Sequence, residues 1–98
     1  MAANEDSDIE LLVPLELEPG VYANSLFVWH SWHEFTLDFA VFRGSAPRAA
    51  AHEATYLAVA RVRMPVSRMF DALLALNSDL TDYERTFGEI RRSERRGE

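Results

Sequence analysis

The chain has 98 residues, of which 48% are hydrophobic and 27% are charged, and its net charge is −6. This length predicts one domain, and the hydrophobic content is too high for a disordered protein. No apolar run reaches the ~18 residues of a membrane span, and the one basic cluster is a short carboxyl-terminal run, RRSERRGE. We therefore expect a protein that binds neither membranes nor nucleic acid.

The first ten residues, MAANEDSDIE, are acidic and lack the basic and apolar regions of a secretory signal. The chain contains no cysteine and no lysine, which excludes thiol catalysis and Schiff-base chemistry. Together these features predict a cytoplasmic protein. The exclusive use of arginine, with abundant alanine, is typical of a GC-rich bacterial genome.

We divide the chain into a disordered acidic leader (1–8), a single α+β domain (9–90) and a basic, frayed tail (91–98). The domain begins with aliphatic residues that alternate with other positions, a strand-like period of two. These residues are Ile9, Leu11, Val13, Leu15 and Leu17. Pro14 and Pro19 cannot donate a ladder hydrogen bond, so this segment, which ends at Gly20, is at best an edge strand or a docking arm. We predict that it pairs as an edge strand, within its own sheet, with a neighbouring subunit or with a partner.

The next segment is predicted to form a β-hairpin. Residues 21–30 are rich in β-branched and aromatic residues, SWH at 31–33 is a tight break, and residues 34–42 alternate between apolar and polar positions. A loop rich in glycine, proline and small residues follows at 43–53, and the next strand is predicted over 55–64.

The strongest periodicity in the sequence follows Pro65, which suits the first position of a helix. Apolar residues recur there at spacings of 3, 4, 3, 4, 3 and 4, which predicts an amphipathic helix of about six turns. They are Val66, Met69, Leu73, Leu76, Leu80, Tyr83 and Phe87. Gly88 stands where a carboxyl-terminal cap is expected.

The predicted fold class is α+β, with a three- to four-stranded antiparallel sheet followed by one long carboxyl-terminal helix packed on one face. One helix covers one face only, and the other carries Leu57 and Val59, with either Leu26 and Val28 or Phe27 and Trp29 beside them. Large exposed apolar patches are uncommon on soluble monomers. We therefore expect self-association through this second face.

Four stretches carry a resemblance to a family: GVYAN at 20–24, HSWHEFTLDF at 30–39, ARVRMP at 60–65 and NSDLTDYERTFGEI at 77–90. In this order they resemble domain of unknown function 3467, a family of short bacterial and archaeal proteins. The family has a serine before the proline that could cap the helix, whereas this chain has Met64, which implies a looser helix start. The resemblance implies an architecture and no activity.

The order of a few strands followed by a long helix is also similar to the subunit of the SecB export chaperone, an oligomer that holds unfolded chains. No shared motif accompanies this similarity, so it is an analogy of fold. It implies an alternative function, that of a holdase binding extended hydrophobic segments.

Three polar groupings are candidates for chemistry. His30, His33 and Glu34 are possible metal ligands, but a site needs three or four convergent donors, and we expect a water-facing turn. Ser31 has histidines and Asp38 nearby, yet no oxyanion hole is evident. We therefore expect no metal, no cofactor and no catalytic site. Asp38 is instead predicted to form a structural pair across the sheet with Arg61 or Arg63, of which we choose Arg61.

The candidates for an interface are mainly aromatic and apolar: Trp32, Trp29, Leu57, Val59, Tyr22 and Asn24. Tryptophan is enriched in interface hot spots, and of the two we expect Trp32 to be the exposed one. Asn77 lies beside the apolar helix positions. It either sets the register or oligomer state of a helix contact or faces solvent. We expect a non-enzymatic assembly module whose partners are a second copy of itself and another protein. The holdase and, less favoured, a small enzyme or metal-binding protein using the His30/His33 turn remain as alternatives.

Overall fold

The computed structural model describes residues 8–45 and 54–92. Three strands, β1 (Ser25–His30), β2 (Glu34–Ser45) and β3 (Ala54–Pro65), form an antiparallel sheet in the order β1-β2-β3. A 3-10 turn at Val66–Arg68 leads into the helix α1 (Met69–Phe87). The predicted α+β class, a three-stranded sheet followed by one helix, is thus confirmed. Most of the predicted leader, part of the 43–53 loop and most of the basic tail lie outside the described residues.

The chain divides into two compact units, of which the first contains residues 8–26, 39–45 and 54–60. In this unit Asn24 joins the start of β1 to β2. Its backbone N–H donates to the Ala40 carbonyl over 3.0 Å, and its side-chain oxygen accepts the Phe42 N–H over 3.2 Å. The rings of Phe42 and Tyr56 lie 5.2 Å apart, and Ala40 is buried. Asn24 therefore fixes where strand pairing begins, four residues later than the pattern predicts.

The second unit contains residues 27–38 and 61–92, and the tight turn between β1 and β2 belongs to it. The Ser31 N–H donates to the Glu34 carbonyl over 2.9 Å. The Ser31 hydroxyl oxygen also accepts the backbone N–H groups of His33 and Glu34, over 3.2 and 3.4 Å. Serine satisfies turn donors in this way at little steric cost, so the predicted turn is confirmed and its serine has a structural role.

The predicted edge strand at residues 9–17 is wrong. Residues 9–14 have no regular structure, and Leu15–Leu17 form a 3-10 turn whose Leu17 N–H donates to the Pro14 carbonyl over 2.9 Å. Proline lacks an N–H and fixes its own φ, so the two prolines favour turns over a ladder. Alternation alone therefore gave the wrong structure for this segment, and its aliphatic side chains are exposed.

The helix begins at Met69, four residues after the predicted start, because Val66–Arg68 adopt the tighter 3-10 turn. Its predicted end is correct. Gly88 has a φ of +105°, a conformation that favours glycine, and its N–H donates to the Glu84 carbonyl over 2.9 Å. The polar face carries two exposed ion pairs, Arg68 with Asp71 and Arg85 with Asp82.

Within residues 8–45 and 54–92, nothing buries the apolar side of α1, in contrast to the predicted packing on one sheet face. No residue of α1 is buried. We call six of its apolar residues the helix stripe: Met69, Leu73, Leu76, Leu80, Tyr83 and Phe87. A turn of three residues joins β3 to α1, and the Val66 N–H donates to the His33 carbonyl over 3.4 Å. These restraints fix the helix start, and every stripe residue after the half-buried Met69 is exposed.

Candidate interaction surfaces

One face of the second unit carries a compact polar cluster of Trp29, Asp38 and Arg61. The Arg61 guanidinium donates Nε to one Asp38 oxygen over 2.6 Å and a terminal nitrogen to the other over 2.8 Å. The Trp29 indole N–H donates to the second oxygen over 2.8 Å. The cluster joins one residue from each of the three strands, with 9 positions between Trp29 and Asp38 and 23 between Asp38 and Arg61.

Asp38 is 6% exposed, and acidic residues are almost never buried to this extent unless they are paired. Its hydrogen bonds with Arg61, and then with Trp29, hold the pKa of the carboxyl at about 2, below its ordinary value of 3.8, against the opposing effect of burial. The same pair raises the pKa of Arg61. Both groups thus stay charged near neutrality, which suits a structural clamp.

This cluster predicts a particular acid sensitivity. Because the folded-state pKa of Asp38 is depressed, its stabilising effect is complete above the unfolded value of 3.8 and is lost as the pH falls toward about 2. We expect Asp38→Asn to be less stable than the parent near neutrality and to lose less stability between pH 5 and pH 2. Urea midpoints measured across that range check this.

The matched control is Asp82→Asn, which removes a carboxylate from an exposed helix pair with Arg85 of similar length, 2.7 Å. Surface pairs of this kind contribute little. The control should retain the acid profile of the parent. Identical profiles for Asp38→Asn and the parent would contradict a clamp role for Asp38.

The predicted interface residues lie at exposed positions, with one exception. Trp32 is 87% exposed and Trp29 is 54% exposed, so Trp32 is the more exposed tryptophan, as predicted. Leu57, Tyr22 and Asn24 are also exposed, whereas Val59 is half-buried. Of these, Trp29 and Asn24 also have structural roles within the chain. Their contribution to an interface stays a prediction.

Two exposed apolar residues that were not predicted, Phe70 and Leu74, flank the helix stripe. They are four positions apart and so lie one above the other on a helix. Their spacing of four is visible in the sequence. They lie beside the row of apolar residues spaced by 3 and 4, however, and are not part of it. With them, the apolar surface of α1 is wider than a single stripe.

The histidine turn has no metal-binding geometry in the part of the chain that the structure describes, where no group of three or more histidine, cysteine, aspartate or glutamate side chains converges. The His30 ring packs against Phe35, with ring centres 5.5 Å apart. The ring contact and the Ser31 hydrogen bonds account for this turn as local structure.

Within residues 8–45 and 54–92, no helix is long and apolar enough to cross a membrane. Neither a curated protein nor a solved structure matches the chain. Residues 2–92, which include the clamp, the turn and the whole of α1, match the family described as Protein of unknown function (DUF3467). The chain therefore belongs to the DUF3467 family.

Proposed function

We propose that this protein is a non-enzymatic interaction module that acts as a homodimer or higher oligomer in the cytoplasm. The observation that carries the proposal is the lack of a core: among the described residues Ala40 is the only buried hydrophobic residue. The large aliphatic and aromatic side chains of the helix stripe, of β1 and of the segment at 9–17 are exposed instead.

An ordered chain loses conformational entropy, and that loss must be offset. Fixing the backbone costs roughly 1–2 kcal/mol per residue, and burial of apolar surface is the main term that offsets this cost. One buried alanine and one bidentate ion pair cannot offset it for an ordered sheet and a 19-residue helix. This shortfall supports the proposal that other chains cover the apolar surface, and a second copy is always available. The absence of cysteine supports a cytoplasmic location, since small domains in oxidising compartments commonly depend on disulfides.

Light scattering on the untagged protein tests the proposal. We expect a mass of at least two chains at micromolar concentration and a melting temperature that rises with protein concentration, because association stabilises only the folded state. A chain that remains monomeric at every concentration, and is nevertheless fully folded, would overturn the proposal.

The same measurement, combined with a hydrophobic dye, separates this function from the SecB-like holdase. A fixed assembly covers its apolar surface and should bind little dye, whereas a holdase keeps that surface open for clients. Strong dye binding by the assembled protein, together with suppression of the aggregation of an unfolded test protein, would favour the holdase.

A further inference from the structure

The second unit has one sheet face that is mainly apolar, opposite the clamp. The His30–Phe35 ring contact and the Trp29–Asp38–Arg61 cluster lie on opposite sides, because successive side chains alternate along a strand. The same alternation assigns six residues to what we call the apolar sheet face: Val28, His30, Phe35, Leu37, Val62 and Met64. Val28 and Val62 are exposed, and Phe35, Leu37 and Met64 are half-buried.

Resting on the homo-oligomer proposed above, we propose that α1 of each copy packs its helix stripe across the apolar sheet face of the other copy, reciprocally. Each copy presents both halves of this contact, and the described residues fully bury no member of either half. Such a self-complementary arrangement forms a closed dimer with two-fold symmetry, and the symmetry axis relates the two identical contacts.

The area available is sufficient for a stable dimer. The transfer free energy of one large apolar side chain corresponds to roughly 60–120 Å² of surface removed from water. Because the stripe residues after Met69 are 49–72% exposed in the single chain, the six on each of two helices supply on the order of 400–900 Å², and the sheet that they cover supplies a comparable area. Stable interfaces bury ~1,200–2,000 Å² in total, so the two reciprocal contacts together reach that range.

The charge distribution also permits this contact between two acidic chains. Neither the helix stripe nor the apolar sheet face contains an acid or an arginine, and His30 is the only histidine among their residues. Arg85 of the helix and Arg68, which directly precedes it, are paired with helix aspartates, Asp82 and Asp71. The interface core would thus be free of unpaired charge, as interface cores generally are.

Cross-linking with introduced cysteines tests the arrangement, since the natural chain has none. One full-length chain carries Leu76→Cys on the helix stripe, and an isotope-labelled full-length chain carries Val28→Cys on the apolar sheet face. The two chains are unfolded together, refolded and treated with a short bismaleimide. We expect a labelled–unlabelled product in several-fold higher yield than with the matched control Ser78→Cys, which lies on the polar face of α1.

Each other outcome has a definite meaning. A Val28→Cys/Leu76→Cys double variant that links within one chain at every dilution would overturn the proposal in favour of packing on its own sheet. Predominant Leu76→Cys homodimer products would overturn it in favour of a helix–helix seam. A monomer by light scattering would instead contradict the proposed function itself. Leu73→Cys replaces Leu76→Cys if circular dichroism shows that the latter fails to fold.

Discussion

Leu76→Ala should lower the free energy of unfolding by about 2–5 kcal/mol and shift the protein toward monomer, whereas Leu74→Ala should change it by less than about 0.5 kcal/mol. In the single chain these leucines are almost equally exposed, at 62% and 64%. They share one helix, lie two positions apart and undergo the same substitution. Helix propensity and unfolded-state effects therefore cancel in the comparison.

The difference between the two variants reports which side of α1 is covered in solution. A buried leucine loses its transfer free energy and leaves a cavity, while a solvent-exposed leucine loses little. Urea unfolding at matched protein concentration gives both values, and light scattering gives the association state. Small, equal effects would mean that the helix stripe is uncovered, and equal large effects would mean that the interface extends over Leu74 and Phe70.

The hairpin, the third strand and the end of the helix were predictable because each depends on local chemistry. The turn needs Ser31 to satisfy nearby N–H groups, and the helix end needs Gly88 at a positive φ. Alternation along β2 and β3 also placed Asp38 and Arg61 on one face, where the structure joins them. These features depend on residues close in sequence or on the strict period of two in a strand.

The surface that covers the helix stripe cannot be predicted from the spacing of the stripe residues. A spacing of 3 and 4 identifies the apolar side of α1, but it carries no information on which surface covers that side. The exposure of Leu76 in a single chain shows that the apolar pattern was satisfied neither by the chain's own sheet nor by any other described element. Similarly, the aliphatic row from Ile9 to Leu17 has the period of a strand, and Pro14 prevents it from becoming one.

Removing residues 1–18 should lower the melting temperature or change the number of subunits. This segment includes large aliphatic residues that are exposed in the single chain: Ile9, Leu11, Leu12, Val13, Leu15 and Leu17. Leaving so many in water forfeits on the order of several kcal/mol, so we expect the assembly to cover them. Differential scanning calorimetry and light scattering on the truncated and full chains measure the effect.

A point-variant pair separates the apolar contribution of this segment from that of its charge. Leu11→Ser with Leu15→Ser should reproduce most of the loss caused by truncation, because it removes apolar area while keeping the acids. Glu10→Gln with Glu16→Gln, the control, should leave melting and assembly near those of the parent, since both glutamates are exposed. If truncation and both double variants behave like the full chain, the segment is uncovered in the homo-oligomer. Its aliphatic row would then be a recognition arm for a different protein, since an assembly of identical chains would already be complete without it.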